Sequence, residues 1–527
     1  MSKLWPTALY HRRATFAALL LFPIASICLG SNKNLSQVIR KAGFIKHRRE
    51  ASSQPQGGDF WHTKGAMLLD DHNRSVKIAG INWSGFETLN GAPGGLDKQD
   101  YGEIITQIKN SGFNVIRLPF SSEMVEFPTI PTGVGFAGSN GPINQDLIGL
   151  SSMEILDQII VRAKAMGLKI ILDNHRSESG SGPEENGLWF TSQFPESSWI
   201  ADWASLAARY SNNSAVIGMD LRNEPHSVGE NGACWDCGGE RDWHLAAQRA
   251  GDTILEINPK LLIFVEGVGE YRGDWYWWGG NLEGVRYSPV ELSIPNQLVY
   301  SAHEYGPEEH QQPWFTGATN AAILEEMWVN HWAYISDLQI APVYVGEFGT
   351  TSASTAMESG YPGSQGQWFS TLILFLQRKS EISWTYWTAN GEDRYAYLDS
   401  DYSRQHSNWT KAWLLTRIRG VRPSNAGRIA GSTFSALHIE PPHSNVGALS
   451  RASPETSASS NPVLTSRRRR RDPSAVRQRT PHRAPAFVGH SSISPLIATS
   501  RESEDAKRSM AENVKRATAV ATATLRN

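Results

Sequence analysis

Cysteine is nearly absent from this chain of 527 residues, which contains only three. Cys28 lies in an N-terminal apolar stretch, so only Cys234 and Cys237, spaced C-W-D-C, remain for the folded protein. In an oxidising compartment this pair can close a small disulfide loop, although a redox motif or half of a zinc site has the same spacing. Because the chain has no second CxxC to complete a zinc ribbon, the disulfide is the favoured interpretation.

Long hydrophobic runs are also missing. The apolar stretch 14–30 is preceded by Lys3, Arg12 and Arg13, and it is shorter than the roughly 20 residues that a membrane-spanning helix needs. A basic segment followed by a short apolar run is typical of an export signal. We therefore expect residues 1–30 to be a signal peptide, and the mature protein to be secreted without stable insertion into a membrane.

Tryptophan and tyrosine are absent beyond residue 420. Residues 421–527 carry 17 Lys and Arg against 7 Asp and Glu. The near-neutral total charge of −2 is therefore the sum of a basic C-terminal part and an acidic remainder. Such a composition cannot bury a core, and it predicts a disordered basic tail rich in Ser, Pro and Arg. The run Arg467–Arg471 could bind nucleic acid, but an exported protein rarely meets it, and we expect no such partner. Residues 31–65 are expected to form a second linker.

Tryptophan is abundant before residue 421, where all 19 tryptophans of the chain lie. We expect about half of them to lie in the core, because Trp is highly buried on average. The others suggest flat apolar faces presented to a flat ligand, such as the ring of a sugar.

Eight short apolar runs rich in strand-forming residues recur between residues 66 and 420, separated by stretches with apolar residues at helical spacing. Strands that alternate with helices imply parallel pairing through right-handed crossovers. Eight units predict an α/β fold with a single (β/α)₈ barrel, and an open doubly wound sheet is the alternative. The runs are Ile78–Trp83, Asn114–Phe120, Lys169–Asp173, Val216–Arg222, Leu261–Glu266, Leu298–His303, Val343–Glu347 and Ile382–Trp387.

Two glutamates stand at the ends of runs four and seven, where such barrels place their active sites. Glu224 lies in L-R-N-E-P and Glu347 in G-E-F-G. Strands four and seven lie across the barrel mouth, so the two carboxylates can face each other over a bound sugar. Cleavage of a glycosidic bond requires a proton for the leaving oxygen and a negative group beneath the oxocarbenium ion, and two such carboxyl groups supply both.

Nine sequence blocks follow one another in an order that characterises a known family. They are G-I-N-W-S-G-F-E, N-V-I-R-L-P-F, I-L-D-N-H-R, L-R-N-E-P-H, F-V-E-G-V, Y-W-W-G-G-N-L, Y-S-A-H-E-Y-G-P, G-E-F-G-T and S-W-T-Y-W. Over about residues 66 to 415 the chain resembles family 5 of the glycoside hydrolases, clan A, in its bacterial endo-β-1,4-glucanase branch.

The resemblance implies roles for five residues. Glu224 would be the general acid and then the base, and Glu347 the nucleophile that forms a glycosyl-enzyme. Asn223 would hold the 2-hydroxyl of the sugar at the cleaved bond, while Arg117 and Tyr305 would orient and stabilise Glu347.

The resemblance also implies the remaining contacts with substrate. His175 and His303 would complete the set of side chains around the reacting sugar. Trp387 would form the floor of the subsite beside the bond, and Trp278 and Trp83 would stack on further glucose units.

The sequence thus predicts a secreted, monomeric, retaining endo-β-1,4-glucanase that needs neither cofactor nor catalytic metal and acts on β-glucan. A β-mannanase or a β-1,3-glucanase remains an alternative because the same residues serve all three substrates, although the Y-W-W-G-G block favours the cellulase. A non-catalytic glycan-binding barrel is disfavoured because both glutamates are present. Arg222 and the enlarged loop Ser227–Ala233 depart from the family pattern and leave the number of subsites open.

Overall fold

The computed structural model describes residues 59–135, 142–353, 360–403 and 409–419. The predicted signal peptide (1–30), most of the predicted linker (31–65) and the predicted tail (421–527) lie outside the described residues. In the part of the chain that is described, no helix is both long enough and apolar enough to cross a bilayer.

Eight parallel strands close into a barrel in which each strand pairs with its neighbours in sequence and the last pairs with the first. The strands are β1 (Ala79–Asn82), β2 (Val115–Ser121), β3 (Lys169–Arg176), β4 (Val216–Asp220), β5 (Leu262–Glu266), β6 (Leu298–His303), β7 (Val343–Glu347) and β8 (Ser383–Tyr386). The predicted (β/α)₈ barrel is confirmed, and the open-sheet alternative is wrong.

Helices begin where the sequence supplies capping side chains. Asp100 accepts a hydrogen bond from the backbone N–H of Glu103, and Ser151 forms a reciprocal capping box with Glu154. The helices are α1 (Tyr101–Asn110), α2 (Ser122–Glu126), α3 (Ser152–Ala165), α4 (Glu196–Arg209), α5 (Trp243–Ile257), α6 (Ala321–Trp328), α7 (Tyr334–Asp337), α8 (Gln365–Arg378) and α9 (Trp409–Ile418). A π-helical turn, Val329–Ala333, joins α6 to α7.

A small antiparallel sheet precedes the barrel, formed by His62–Lys64, Met67–Leu69 and Ser75–Val76. Its Trp61 and Leu68 are buried in one cluster with apolar side chains of the barrel strands. The folded part therefore extends to residue 59, which corrects the predicted linker boundary at residue 65. No strand period is visible in the sequence there, because the strands are only two or three residues long.

The interior of the barrel changes character along the strands. Near their N-terminal ends it is apolar, and Phe264 packs edge-on against Tyr344 with ring centroids 5.0 Å apart. Towards their C-terminal ends, buried charged residues replace the apolar side chains. Charges in a closed interior require compensating partners, so this end is where a functional site is expected.

We predict that Trp61→Ala destabilises the protein, because it removes a large buried side chain from beneath the barrel. The expected loss of unfolding free energy is about 3–5 kcal/mol, measured by urea denaturation. Trp413→Ala is the matched control, since Trp413 is 57% exposed on α9 and should cost less than about 0.5 kcal/mol. Equal losses in the two variants would show that the N-terminal sheet does not support the barrel.

Candidate active site

One buried guanidinium organises the charged end of the barrel. Arg117 of β2 contacts the carboxylates of Asp173, Asp220, Glu266 and Glu347 at 3.1, 2.9, 3.2 and 2.7 Å, respectively. Burial alone would lower the pKa of Arg117, but the surrounding carboxylates raise it well above its ordinary value. The site therefore contains a permanent cation at its base.

Arg117 also fixes two asparagines. Its Nη1 donates to Asn82 Oδ1 at 3.1 Å, and its Nη2 donates to Asn223 Oδ1 at 3.2 Å. With Oδ1 of Asn223 accepting from Arg117, the amide Nδ2 must be the donor end. Among the described residues no side chain or carbonyl accepts from this Nδ2, so it is available to a hydroxyl of a ligand.

Glu347, at the end of β7, is held as a carboxylate. Arg117 Nη1 donates to its Oε1 at 2.7 Å, and the Tyr305 hydroxyl donates to its Oε2 at 2.9 Å. Burial opposes ionisation, but the positive charges of His303, Arg117 and His175 outweigh it and hold the pKa of Glu347 below its ordinary value. A buried carboxylate with a low pKa suits a nucleophile.

The backbone of Glu224 adopts a left-handed conformation, with φ of +50°, which costs a non-glycine residue about 1–3 kcal/mol. Its N–H donates to Glu266 Oε2 at 2.8 Å, which holds this conformation. Gly279 passes directly beside it: a Cβ there would lie 2.1 Å from Glu266 Oε2 and 3.2 Å from the Glu224 Cα. Only glycine fits this position.

The Glu224 carboxyl group differs from Glu347 in its electrostatics. Burial raises the pKa of Glu224 to about 7, the hydrogen bond and charge of His303 oppose the shift, and the charges of Glu347 and Glu266 add to it. One carboxyl oxygen each of Glu224 and Glu347 and one ring nitrogen of His303 lie within 4.8 Å of one another. The site thus holds a carboxylate next to a carboxyl group that carries a proton for much of the time near pH 7.

The ring of His303 lies between the carboxyl groups of Glu224 and Glu266. Its Nδ1 lies 3.0 Å from Glu224 Oε1, and its Nε2 lies 3.1 Å from Glu266 Oε1. Burial would lower the pKa of His303, but Glu266 and Glu347 raise it well above its ordinary value. With a carboxyl oxygen at 3.0 Å from one ring nitrogen and at 3.1 Å from the other, the geometry favours an acid–base site here.

Two aromatic surfaces border these residues. His175 Nδ1 contacts Asp173 Oδ2 at 2.7 Å, and its ring lies nearly parallel to Trp387, with centroids 5.7 Å apart. Trp387 follows β8 and is half-buried. On the other side, the ring of Trp278 lies flat on His226 at 3.7 Å and is 45% exposed, so its outer face is open to a ligand.

Trp83 corrects the sequence prediction. Its side chain is fully buried, and its indole N–H donates to the carbonyl of Gly94 at 3.0 Å. It therefore belongs to the core and cannot stack on a sugar. Its position at the end of β1 indicated the barrel mouth, but the side chain points away from it.

No role was predicted from the sequence for several important residues. Asp220 and Glu266 both contact Arg117. The sequence signal that could have identified them is an acidic residue at the end of an otherwise apolar strand. His226 supports Trp278, and its Nδ1 contacts the carbonyl of Glu224 at 2.8 Å. Burial lowers the pKa of His226, so its ring is a neutral stacking partner.

The two departures from the family pattern have local explanations. Arg222 is buried, donates to Asn174 Oδ1 at 2.6 Å and pairs with Glu184 Oε2 at 3.2 Å, while burial lowers its pKa to about 10. The loop after Glu224 forms a short hairpin, Ser227–Val228 with Asn231–Gly232.

The cysteine pair lies directly after this hairpin. Cys234 and Cys237 are joined as a disulfide, with their Cα atoms 6.0 Å apart. The bridge fixes the turn between the hairpin and α5.

Known proteins share the sequence pattern and the fold of this chain. The model of the cellulase family, glycosyl hydrolase family 5, matches residues 69–393. An endoglucanase of Paenibacillus polymyxa is 41% identical over 335 residues, which make up 63% of this chain and 80% of that protein. Endoglucanase G of Acetivibrio thermocellus is 32% identical over 408 residues, covering 67% of this chain and 70% of that protein.

Solved structures agree as well. The endocellulase of Pyrococcus horikoshii, in complex with cellotetraose, is 33% identical with a TM-score of 0.62, and the match covers 70% of this chain and 100% of that one. The catalytic domain of the major endoglucanase of Xanthomonas campestris pv. campestris is 30% identical with a TM-score of 0.61, covering 69% and 100%. The fold and the matched family define a glycoside hydrolase. The chain belongs to glycosyl hydrolase family 5, the cellulase family, and the predicted membership is confirmed.

We predict that Glu224 titrates near pH 7 and that Glu347→Gln lowers its pKa, because the neighbouring negative charge is removed. Carbon-13 NMR of glutamate-labelled protein measures this, with the Glu224 signal assigned by its loss in Glu224→Gln. Glu256→Gln, at an exposed position on α5, is the control and should leave the titration unchanged. A Glu224 signal that titrates near the ordinary 4.5 would contradict the proposed environment.

Proposed function

We propose that this protein is a retaining endo-β-1,4-glucanase, with Glu347 as nucleophile and Glu224 as acid and base. The observation that carries the proposal is the pair of carboxyl oxygens within 4.8 Å of each other, in environments that shift the two pKa values in opposite directions. Retaining glycosidases have carboxyl groups about 5–5.5 Å apart, whereas inverting enzymes need about 6.5–9.5 Å to admit a water molecule.

In the first step the Glu347 carboxylate attacks the anomeric carbon as the bond to the leaving oxygen breaks. Glu224 transfers its proton to that oxygen, so the leaving chain departs as a neutral alcohol. The Nδ2 of Asn223 donates to the 2-hydroxyl of the sugar. Arg117 and Tyr305 keep Glu347 oriented through the contacts at 2.7 and 2.9 Å.

In the second step the deprotonated Glu224 takes a proton from water, and the water oxygen attacks the anomeric carbon from the face that the leaving group vacated. The bond to Glu347 breaks and its carboxylate is restored. Two inversions retain the β configuration. His303 contacts both glutamates, at 3.0 Å from Glu224 and 3.7 Å from Glu347, so it stabilises whichever of them is ionised.

The substrate class follows from the relatives and the aromatic surfaces. Relatives with 30% identity or more are named endoglucanases or endocellulases, and one was solved with cellotetraose. The open face of Trp278 and the half-buried Trp387 are suited to the flat faces of glucose units in a β-1,4 chain. The two-step mechanism uses only the side chains named above and water, so the proposed enzyme is a monomer that requires no cofactor.

We also propose that the enzyme is exported, with residues 1–30 as the signal, residues from 421 as a separate tail and the barrel working outside the cell. The basic and apolar composition of the first 30 residues supports this, as does the Cys234–Cys237 disulfide. A relative in Xanthomonas campestris, 32% identical over 368 residues, is named a major extracellular endoglucanase.

We expect substitutions of the two glutamates to impair different steps of the reaction. Glu224→Gln should still cleave an aryl glycoside with an activated leaving group but should accumulate the glycosyl-enzyme, because no base remains to activate water. Azide needs no base, so it should restore turnover and give the β-glycosyl azide. Glu347→Gly, with space beside the anomeric carbon, should instead give the α-azide.

The anomeric configuration is read by proton NMR of the products. Glu256→Gln, outside the site, should retain normal hydrolysis without azide. If the α- and β-azides are exchanged between the two variants, the assigned roles are reversed. If neither variant loses activity on a natural glucan, the site lies elsewhere.

The substrate is tested on the full chain with carboxymethylcellulose, mixed-linkage β-glucan, β-mannan and laminarin. We expect the highest rate on the β-1,4-linked glucans, with viscosity falling much faster than reducing ends accumulate, as internal cleavage requires. A preference for mannan or laminarin would assign one of the alternative activities. Binding without hydrolysis of any of the four would favour a glycan-binding barrel.

A further inference from the structure

Three potential metal ligands meet at a place that shares no residue with the catalytic network. One ring nitrogen of His331 and one carboxylate oxygen each of Asp274 and Glu283 lie within 4.8 Å of one another. Asp274 belongs to the loop after β5, Glu283 begins the 3₁₀-helix Glu283–Arg286, and His331 lies in the π-helical turn between α6 and α7.

His331 is oriented as metal-binding histidines usually are. Its side chain is only 7% exposed, and its Nδ1 lies 2.8 Å from the carbonyl of Met327, so this nitrogen carries the proton. The other nitrogen, Nε2, then carries a lone pair and has no hydrogen-bond partner among the described residues. A hydrogen bond from the distal nitrogen to a carbonyl fixes the tautomer that ligates through Nε2.

The surroundings of this lone pair are negative. Nε2 lies 3.7 Å from Asp274 Oδ2, which is too far for a hydrogen bond. A lone pair therefore faces a carboxylate, an arrangement that a cation between them would stabilise. The ring is held in place by Tyr276, which stacks on it with centroids 3.8 Å apart.

The charge of Arg286 acts on Glu283, but it does so without an ion pair between the two side chains. In the part of the chain that the structure describes, no Lys or Arg forms an ion pair with Asp274 or Glu283. Arg286 is the cation of this region, but its guanidinium lies 3.5 Å from the centroid of Tyr334 and donates to the carbonyl of Asn330 at 2.9 Å. The carboxylates are thus left to another partner.

We propose that Asp274, Glu283 and His331 bind a divalent first-row transition ion of the Zn²⁺ type. One imidazole nitrogen and two carboxylate oxygens are ligands that Zn²⁺ accepts, with water in the fourth position, whereas Ca²⁺ requires six to eight oxygens. Ligand atoms around a tetrahedral ion at about 2.1 Å lie about 3.4 Å apart. The Asp274 side chain, 56% exposed, and the half-buried Glu283 can move the short distance required.

Such an ion would connect the loop after β5 to the π-helical turn. Trp278, with its open face towards the cleft, lies in this same loop. Tyr276, between Asp274 and Trp278, already anchors the loop through its hydroxyl, which donates to Glu304 Oε2 at 2.5 Å. The ion would add a second anchor on the outer side of the same segment.

The test is calorimetric titration of the full chain, after treatment with EDTA, with Zn²⁺. We expect one ion per chain, and at least tenfold weaker binding in Asp274→Asn and in Glu283→Gln. Asp71→Asn and Glu347→Gln are matched controls, because their residues belong to the other two groups of ligand side chains found among the described residues, and they should bind as the wild type does.

Two further readouts connect binding to the proposed ligands. Co²⁺ should give a visible absorption spectrum that Asp274→Asn abolishes. Zn²⁺ at about 100 times its Kd should raise the Tm of the wild type and of both controls by about 3–4 °C but should leave the Tm of Asp274→Asn unchanged. The proposal is overturned if no stoichiometric binding occurs or if Asp274→Asn binds normally. Loss of binding in Glu347→Gln or Asp71→Asn would overturn it too, since the ion would then bind at the catalytic glutamates or at the exposed turn.

Discussion

The charge of Arg117 is the constraint on which the rest of the active site depends. Four carboxyl groups, those of Asp173, Asp220, Glu266 and Glu347, are buried within 3.2 Å of one guanidinium. Burial still raises the pKa of Asp220 well above its ordinary value, against the charge of Arg117. A buried carboxylate without a cation would take up a proton, and a guanidinium is the one side-chain cation that stays charged under burial and offers five donors in a plane. Replacing it with lysine would keep the charge but lose most of these simultaneous contacts.

That single cation also makes the two catalytic candidates unequal. Glu347 contacts the guanidinium directly, whereas Glu224 is attached to the network only through His303 and through its own backbone bond to Glu266. Burial acts on both carboxyl groups, but the positive charges of His303, Arg117 and His175 keep Glu347 ionised. Glu224 has His303 beside it and also the negative charges of Glu347 and Glu266, which raise its pKa. Which glutamate is suited to be the acid and which the nucleophile therefore depends on the strand that carries each of them, rather than on any chemical difference between them.

The sequence predicted the barrel and the two glutamates because both depend on local pattern. Apolar runs locate the strands, and residues at their C-terminal ends share one face of the barrel. The sequence did not predict in which direction a side chain at a strand end points. Trp83 ends a strand but turns into the core, whereas Asp220 ends a strand and turns inward to Arg117. Trp61 was missed because its sheet is too short to show a period, and His226 because its role depends on a partner 52 positions away, Trp278.

Glu224, the proposed general acid, and Trp278, the proposed sugar-binding surface, are connected by direct contacts in this fold. His226 stacks on Trp278 and contacts the carbonyl of Glu224, while Gly279, next to Trp278, lies against the Glu224 Cα. The left-handed backbone at Glu224 is held by these neighbours and by Glu266 together. A displacement of the aromatic surface would therefore also move the carboxyl group that delivers the proton. Because proton transfer requires hydrogen-bond distance, the proposed roles imply that binding of a sugar on Trp278 and protonation by Glu224 are coupled through His226 and Gly279.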